Sequence, residues 1–189
     1  MRTLLTFIFN ALGWKIEGKF PSDLKKYIIA VAPHTSNWDF PVGVLARSAL
    51  RVQRAKFLGK DSLFKPPFGW LFRSLGGYPV NRSSSHDMVH QVVDIFNSHD
   101  EFILAIAPEG TRKKTQKLRT GFYFIAKGAN VPIIPCGFDF ARKTIVVGEP
   151  FYTTENQEAD FETLLAFYRK IHAKNPELVI GMHYFSPVP

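Results

Sequence analysis

The run Tyr27-Ile-Ile-Ala-Val-Ala-Pro-His-Thr-Ser-Asn-Trp-Asp39 is apolar until it stops at a proline and a polar turn. Its first six residues read as a short interior strand, ended by Pro33. In open α/β sheets, working groups lie just beyond the carboxyl ends of strands. His34 and Asp39 stand there, five positions apart. One helix face would bring together residues three or four apart, so Asp39 must return to the imidazole through a turn. Pro41 agrees, because a proline keeps Phe40 in a loop or a first helical turn.

A histidine held by a carboxylate is the core of a general base. The carboxylate accepts from one ring nitrogen and fixes the tautomer, and the other nitrogen takes a proton from a hydroxyl. Alone, the His-x4-Asp spacing is weak and fits an ordinary loop histidine. A second stretch, Phe102-Ile-Leu-Ala-Ile-Ala-Pro-Glu-Gly-Thr-Arg112, repeats the design of an apolar strand stopped at a proline. Gly110 lets the backbone approach a ligand closely. Thr111 and Arg112 supply a hydroxyl and a planar guanidinium, both suited to phosphate oxygens. Glu109 has two roles open to it, orienting the arginine or binding a substrate hydroxyl.

Together these residues resemble the glycerolipid acyltransferases, in particular the 1-acyl-sn-glycerol-3-phosphate acyltransferases. His34 and Asp39 match that family's first block and Glu109-Gly-Thr-Arg112 its third. Gly76-Gly-Tyr-Pro-Val-Asn-Arg82 is similar to the second and Val131-Pro-Ile-Ile-Pro135 to the fourth, in the same order. The resemblance spans roughly residues 27–150. It implies transfer of a fatty acyl group from a thioester, acyl-CoA or acyl carrier protein, to the hydroxyl of a lysophospholipid. His34 is then the base and Asp39 its holder. Arg82 and Arg112 clamp the acceptor phosphate, with Glu109, Thr111 and a backbone N–H near Gly110 assisting. No metal or bound cofactor is implied, since the acyl carrier is itself a substrate. An acceptor without phosphate, such as an N-acyl amino-acid lipid, is the alternative, because Asn81-Arg82 does not discriminate the two.

The chain has 189 residues, of which 46% are hydrophobic, which suits one α/β domain with a sizeable core. A net charge of +8 favours anionic partners, whether lipid, acyl carrier protein, coenzyme A phosphates or nucleic acid. Nucleic acid is the weakest of these, for no helix-turn-helix, RNP-like or zinc-finger signal accompanies the charge. The single Cys136 excludes a disulfide framework and fits a reducing compartment, and its apolar surroundings suggest an inert thiol. Residues 1–14 lack a signal-peptide cleavage site and are too short to span a bilayer. They predict a helix apolar almost all round that either docks on the domain or lies in a membrane interface. Arg2 and Lys15 at its ends favour the interface, hence a peripheral protein on the cytoplasmic face.

Elsewhere the sequence predicts an edge strand at 15–20, a helix from Pro41 to about Arg51 and strands near 55–59 and 78–80. Two short helical pieces broken at Pro66-Pro67 follow from 61–75, an aromatic stretch that suits either an acyl channel or a core flap. A helix opens at 83–87 with Ser84 and Asp87 in capping-box register. His86 and His90 on it have ligand spacing but no further ligand, so a zinc site is not expected. The charge run 113–121 reads as a solvated loop or an extension of the anion site. A helix at 122–128, strands at 131–138 and 143–147 and a last helix from Gln157 to about Ala173 complete the pattern. The expected fold is a single α/β domain (15–189) with a mixed, mostly parallel sheet flanked by helices, preceded by the apolar helix of 1–14. Strand order is not readable, but the chemistry requires the carboxyl ends of the Ala32 and Ala107 strands to meet.

Overall fold

Alternating strand and helix signals assemble into one sheet in the computed structural model, which describes residues 2–80, 85–115 and 118–179. Its strands are β1 (Lys15–Glu17), β2 (Lys26–Val31), β3 (Ala55–Lys60), β4 (Gly77–Val80), β5 (Phe102–Ile106), β6 (Ile133–Asp139) and β7 (Thr144–Val147). They lie in the order β1-β7-β6-β2-β5-β3-β4. Every neighbouring pair is parallel except β6 with β7. The sheet is thus mixed and mostly parallel, as expected. β2 and β5 are direct neighbours, with Tyr27 opposite Ile103 and Ala30 opposite Ile106. Their carboxyl ends therefore meet, carrying the two polar turns side by side.

The helices are α1 (Arg2–Ala11), α2 (Asp39–Ala49), α3 (Gly69–Ser74), α4 (Ser85–Ser98), α5 (Gly121–Ala129) and α6 (Gln157–Tyr168), with 3-10 turns at Asp61–Phe64 and Pro176–Leu178. Successive β2 side chains point to opposite faces, and both faces are covered. Ile28 and Ala30 join Leu104 under α4, α5 and α6, in a core with Val92, Phe96, Phe122 and Phe161. Tyr27 and Ile29 join Val42, Ala46, Ile134 and Ile145 beneath α1 and α2. That double burial explains why β2 reads as an unbroken apolar run.

The stretch 61–75 forms the two expected short pieces, the 3-10 turn and α3. Phe64 anchors them, 5% exposed, against Gly59 of β3. A Cβ at Gly59 would lie 2.7 Å from the Phe64 ring, so only glycine admits that approach. Asn81, Arg82 and the expected cap Ser84 lie outside the described residues.

One expectation needs correction. The last helix ends at Tyr168, not near Ala173. Beyond it, Ile171 and Ala173 are buried and the His172 ring turns onto Asp139 at 3.0 Å, a placement that a continued helix does not give. Of the two placements open to the apolar N-terminal helix, one face of α1 docks on the domain. Phe9, 1% exposed, and Trp14 sit in the core, and Thr6 hydrogen-bonds Ser48 of α2. Leu4 and Phe7 are 60% and 68% exposed.

The two faces of α1 should separate in denaturation. Phe9→Ala is expected to cost about 3–5 kcal/mol, the usual range for a buried phenylalanine. Leu4→Ala and Phe7→Ala should each stay within about 0.5 kcal/mol. Equal losses at all three positions in urea melts would show that α1 is not docked by one face.

Candidate active site

The polar turn after β2 is held in three places. Asp39 is buried at the first turn of α2, and its Oδ2 lies 2.9 Å from His34 Nδ1. The same oxygen accepts from the Ser36 N–H at 3.0 Å, which closes the turn that the five-residue spacing requires. Ser36 Oγ in turn accepts from the Trp38 N–H at 3.1 Å. With Nδ1 donating to Asp39, Nε2 is the nitrogen left for a substrate proton.

Glu109, at the end of β5, does not pair with Arg112. Its Oε2 accepts from the His34 main-chain N–H at 2.6 Å, so the carboxylate bridges the ends of two neighbouring strands. The residue is 4% exposed. Burial pushes its carboxyl up to about 7, although the His34 N–H bond and the facing imidazole pull it down.

A third tie was not legible in the sequence. Asn175 donates its main-chain N–H to Thr35 Oγ1 at 3.1 Å and its side-chain amide to the Thr35 carbonyl at 2.7 Å. Tyr168 supports the same strand from α6 by donating to the Ala30 carbonyl at 2.7 Å. His172 fastens the segment between α6 and Asn175 by donating to the buried Asp139, which also accepts from Arg142. Burial alone would raise the Asp139 carboxyl, but those bonds outweigh it and hold it at about 2.

Around the second turn, Gly110 has φ +64, a left-handed conformation that suits glycine. Its own N–H donates to the Ala107 carbonyl at 3.0 Å, which leaves the neighbouring N–H groups for the backbone donor expected near Gly110. Thr111 Oγ1 accepts from the Lys113 N–H at 3.2 Å and keeps its own proton to donate. Arg112 is exposed. Arg82, the expected second arm of a clamp, lies outside the described residues.

His34, Gly110, Thr111 and Arg112 open onto one cavity of about 780 Å³. It continues beneath α2, walled by Ile29, Val31, Ala46, Leu50 and Val52. At 1.5 Å per residue, the 11 residues of α2 roof about 16 Å of it. Of the aromatic stretch 61–75, Leu75 alone lines the cavity. Leu63, Phe68, Trp70 and Leu71 face outward, so most of that stretch is neither channel wall nor core flap. Cys136 is buried and its thiol is pushed up to about 12 by burial, which makes it inert near neutral pH.

A family model described as Acyltransferase matches residues 14–139, two-thirds of the chain. The chain belongs to the acyltransferase family. Both polar turns and the cavity between them fall inside the matched region. The crystal structure of the 1-acyl-sn-glycerophosphate (LPA) acyltransferase PlsC from Thermotoga maritima has a similar fold, with a TM-score of 0.61. The match covers 89% of this acyltransferase and 75% of that chain at 20% identity. No curated protein sequence matches it.

The Glu109 carboxyl gives a pH signature. Between pH 4.5 and about 7 the folded acyltransferase keeps a proton that the unfolded chain has released. Folding stability from this group therefore falls as pH rises through that window and is level above it. Glu109→Gln has no such proton. Its urea midpoint relative to the native protein should climb from pH 4.5 to about 8, whereas parallel midpoint curves would contradict the assignment.

Proposed function

We propose that this acyltransferase moves a fatty acyl group from a thioester, acyl-CoA or acyl carrier protein, to the hydroxyl of a lysophospholipid, most simply 1-acyl-sn-glycerol-3-phosphate. The observation that carries the reading is the His34–Asp39 pair opening onto a cavity with an apolar interior and guanidinium groups at its polar end. His34 Nε2 takes the proton of the acceptor hydroxyl as its oxygen attacks the thioester carbonyl. The tetrahedral intermediate collapses with expulsion of the thiolate, which recovers the proton from the imidazolium. Asp39 stabilises that imidazolium, and Glu109 and Asn175 keep the ring in place through the main chain. The fatty chain occupies the space beneath α2, and Arg112 faces the phosphate. No covalent enzyme intermediate is needed.

Removing the base should cost on the order of 100- to 10,000-fold in kcat. The test is thioester consumption by native protein and His34→Ala over a panel of lysolipids with and without phosphate. Turnover in His34→Ala close to native would exclude the mechanism. A preference for phosphate-free acceptors would keep the mechanism and exclude 1-acyl-sn-glycerol-3-phosphate.

The acceptor's membrane sets the location. Among the described residues, nine of the twelve exposed large apolar side chains belong to residues 4–12, 38–40 and 61–75, including Leu4, Phe7, Trp38, Phe68 and Trp70. No helix of the described residues is long and apolar enough to cross a membrane. Aromatic side chains beside Lys65 and Arg73 suit the interface of an anionic bilayer. We infer peripheral attachment, with the roof of the cavity turned to the lipid, and place it at the cytoplasmic face. Joint Leu4→Ser and Phe7→Ser replacement should lower cosedimentation with anionic vesicles at least severalfold without lowering Tm. Unchanged cosedimentation would remove α1 from the contact.

A further inference from the structure

Arg119 belongs to neither polar turn, yet its side chain reaches the cavity that holds His34 and Arg112. It gets there by crossing the second turn. A Cβ built on Gly110 would lie 2.5 Å from Arg119 Cδ and 2.6 Å from its Nε. The missing side chain of Gly110 is therefore the space through which the Arg119 side chain passes. Its main-chain N–H is fixed to the Pro108 carbonyl at 2.7 Å, which anchors Arg119 beside the turn.

Three guanidinium groups thus line one cavity; Arg47 is committed to the Ala55 and Leu75 carbonyls, and among the described residues neither Arg112 nor Arg119 has a carboxylate partner. Glu109, the acid adjacent in sequence to Gly110, is committed to the His34 N–H instead. Cations gathered without a counter-charge favour an anionic ligand, and planar forked donors match the oxygens of a phosphate. We propose that Arg119 is a phosphate-binding residue of this cavity, acting with Arg112, and that Gly110 is there to let it through. The proposal rests on the acyl-transfer reading only for which substrate brings the phosphate, the lysophospholipid acceptor or the coenzyme A or carrier-protein donor. Lys113 and Lys114, in the same charge run, are exposed and do not line the cavity.

The test uses the full chain with Arg119→Ala, Arg119→Lys, Gly110→Ala and the double variant Gly110→Ala/Arg119→Ala. Arg119→Ala should raise KM for the phosphate-bearing substrate on the order of 10- to 150-fold, with a smaller change in kcat. Arg119→Lys should recover part of the loss, since it keeps the charge without the fork. Gly110→Ala displaces the same side chain, so the double variant should be hardly worse than either single one. A KM rise confined to the acceptor assigns the phosphate to the acceptor, and one confined to the thioester assigns it to the donor. If neither KM moves, or if the two losses multiply, the proposal fails. Titration with glycerol 3-phosphate, followed by phosphorus NMR, separates this from the choice of acceptor. Binding that weakens in Arg119→Ala supports the site even if the enzyme prefers phosphate-free acceptors. Binding that survives Arg119→Ala unchanged overturns it.

Discussion

One hydrogen bond joins the two halves of the site. The Glu109 carboxylate, at the end of β5, receives the main-chain N–H of His34, at the end of β2. Parallel strands place their carboxyl ends on one side of a sheet, but register decides whether two particular ends are level. Here Ala30 lies opposite Ile106, so the two turns leave the sheet at the same height. The buried carboxylate spans the gap. Desolvation makes that carboxylate costly to ionise, which is why it is pushed up to about 7. A buried group with that cost is acceptable where it satisfies a main-chain donor that would otherwise be stranded at a strand end.

The His34 turn is held from three directions, by Asp39 from its own helix, by Glu109 from β5 and by Asn175 from the segment after α6. The general base proposed for His34 would work through geometry, since a ring displaced by an ångström loses much of its effect. Loops are otherwise the mobile parts of a domain. The early end of α6 is part of the same arrangement, since only a chain that leaves the helix at Tyr168 can bury Ile171, turn His172 onto Asp139 and bring Asn175 to Thr35.

The sheet divides the molecule into two unlike faces. Under α4, α5 and α6 the side chains form a closed core built on Phe96, Phe122 and Phe161. On the other face α2 leaves a cavity between itself and the sheet, bounded by small or medium side chains such as Ala46, Val31 and Val52. The exposed aromatic side chains of the 61–75 segment and the outer side of α1 belong to that same face. The 18 phenylalanine residues thus serve two ends, dense packing on one face and apolar surface on the other, which composition alone does not separate.

What the sequence determined by itself was local. An apolar run ending at a proline is a strand with a turn behind it, and the His34–Asp39 spacing demands that turn. Pro66-Pro67 must break a helix, and alternating elements give an α/β sheet. These follow from torsion angles and near-neighbour burial, which a short window of residues expresses. The motif residues of both turns were legible for the same reason. The partners were not. Glu109 reaches His34 across 75 positions and Asn175 reaches Thr35 across 140. Arg119 was legible only as one charge in a basic run. Its passage over Gly110 depends on the main-chain bond that sets Arg119 beside Pro108, and the docked and exposed sides of α1 depend on where α2 lies beneath it. Contacts of that kind are set by strand order, register and shape complementarity, and those exist only once the chain has packed.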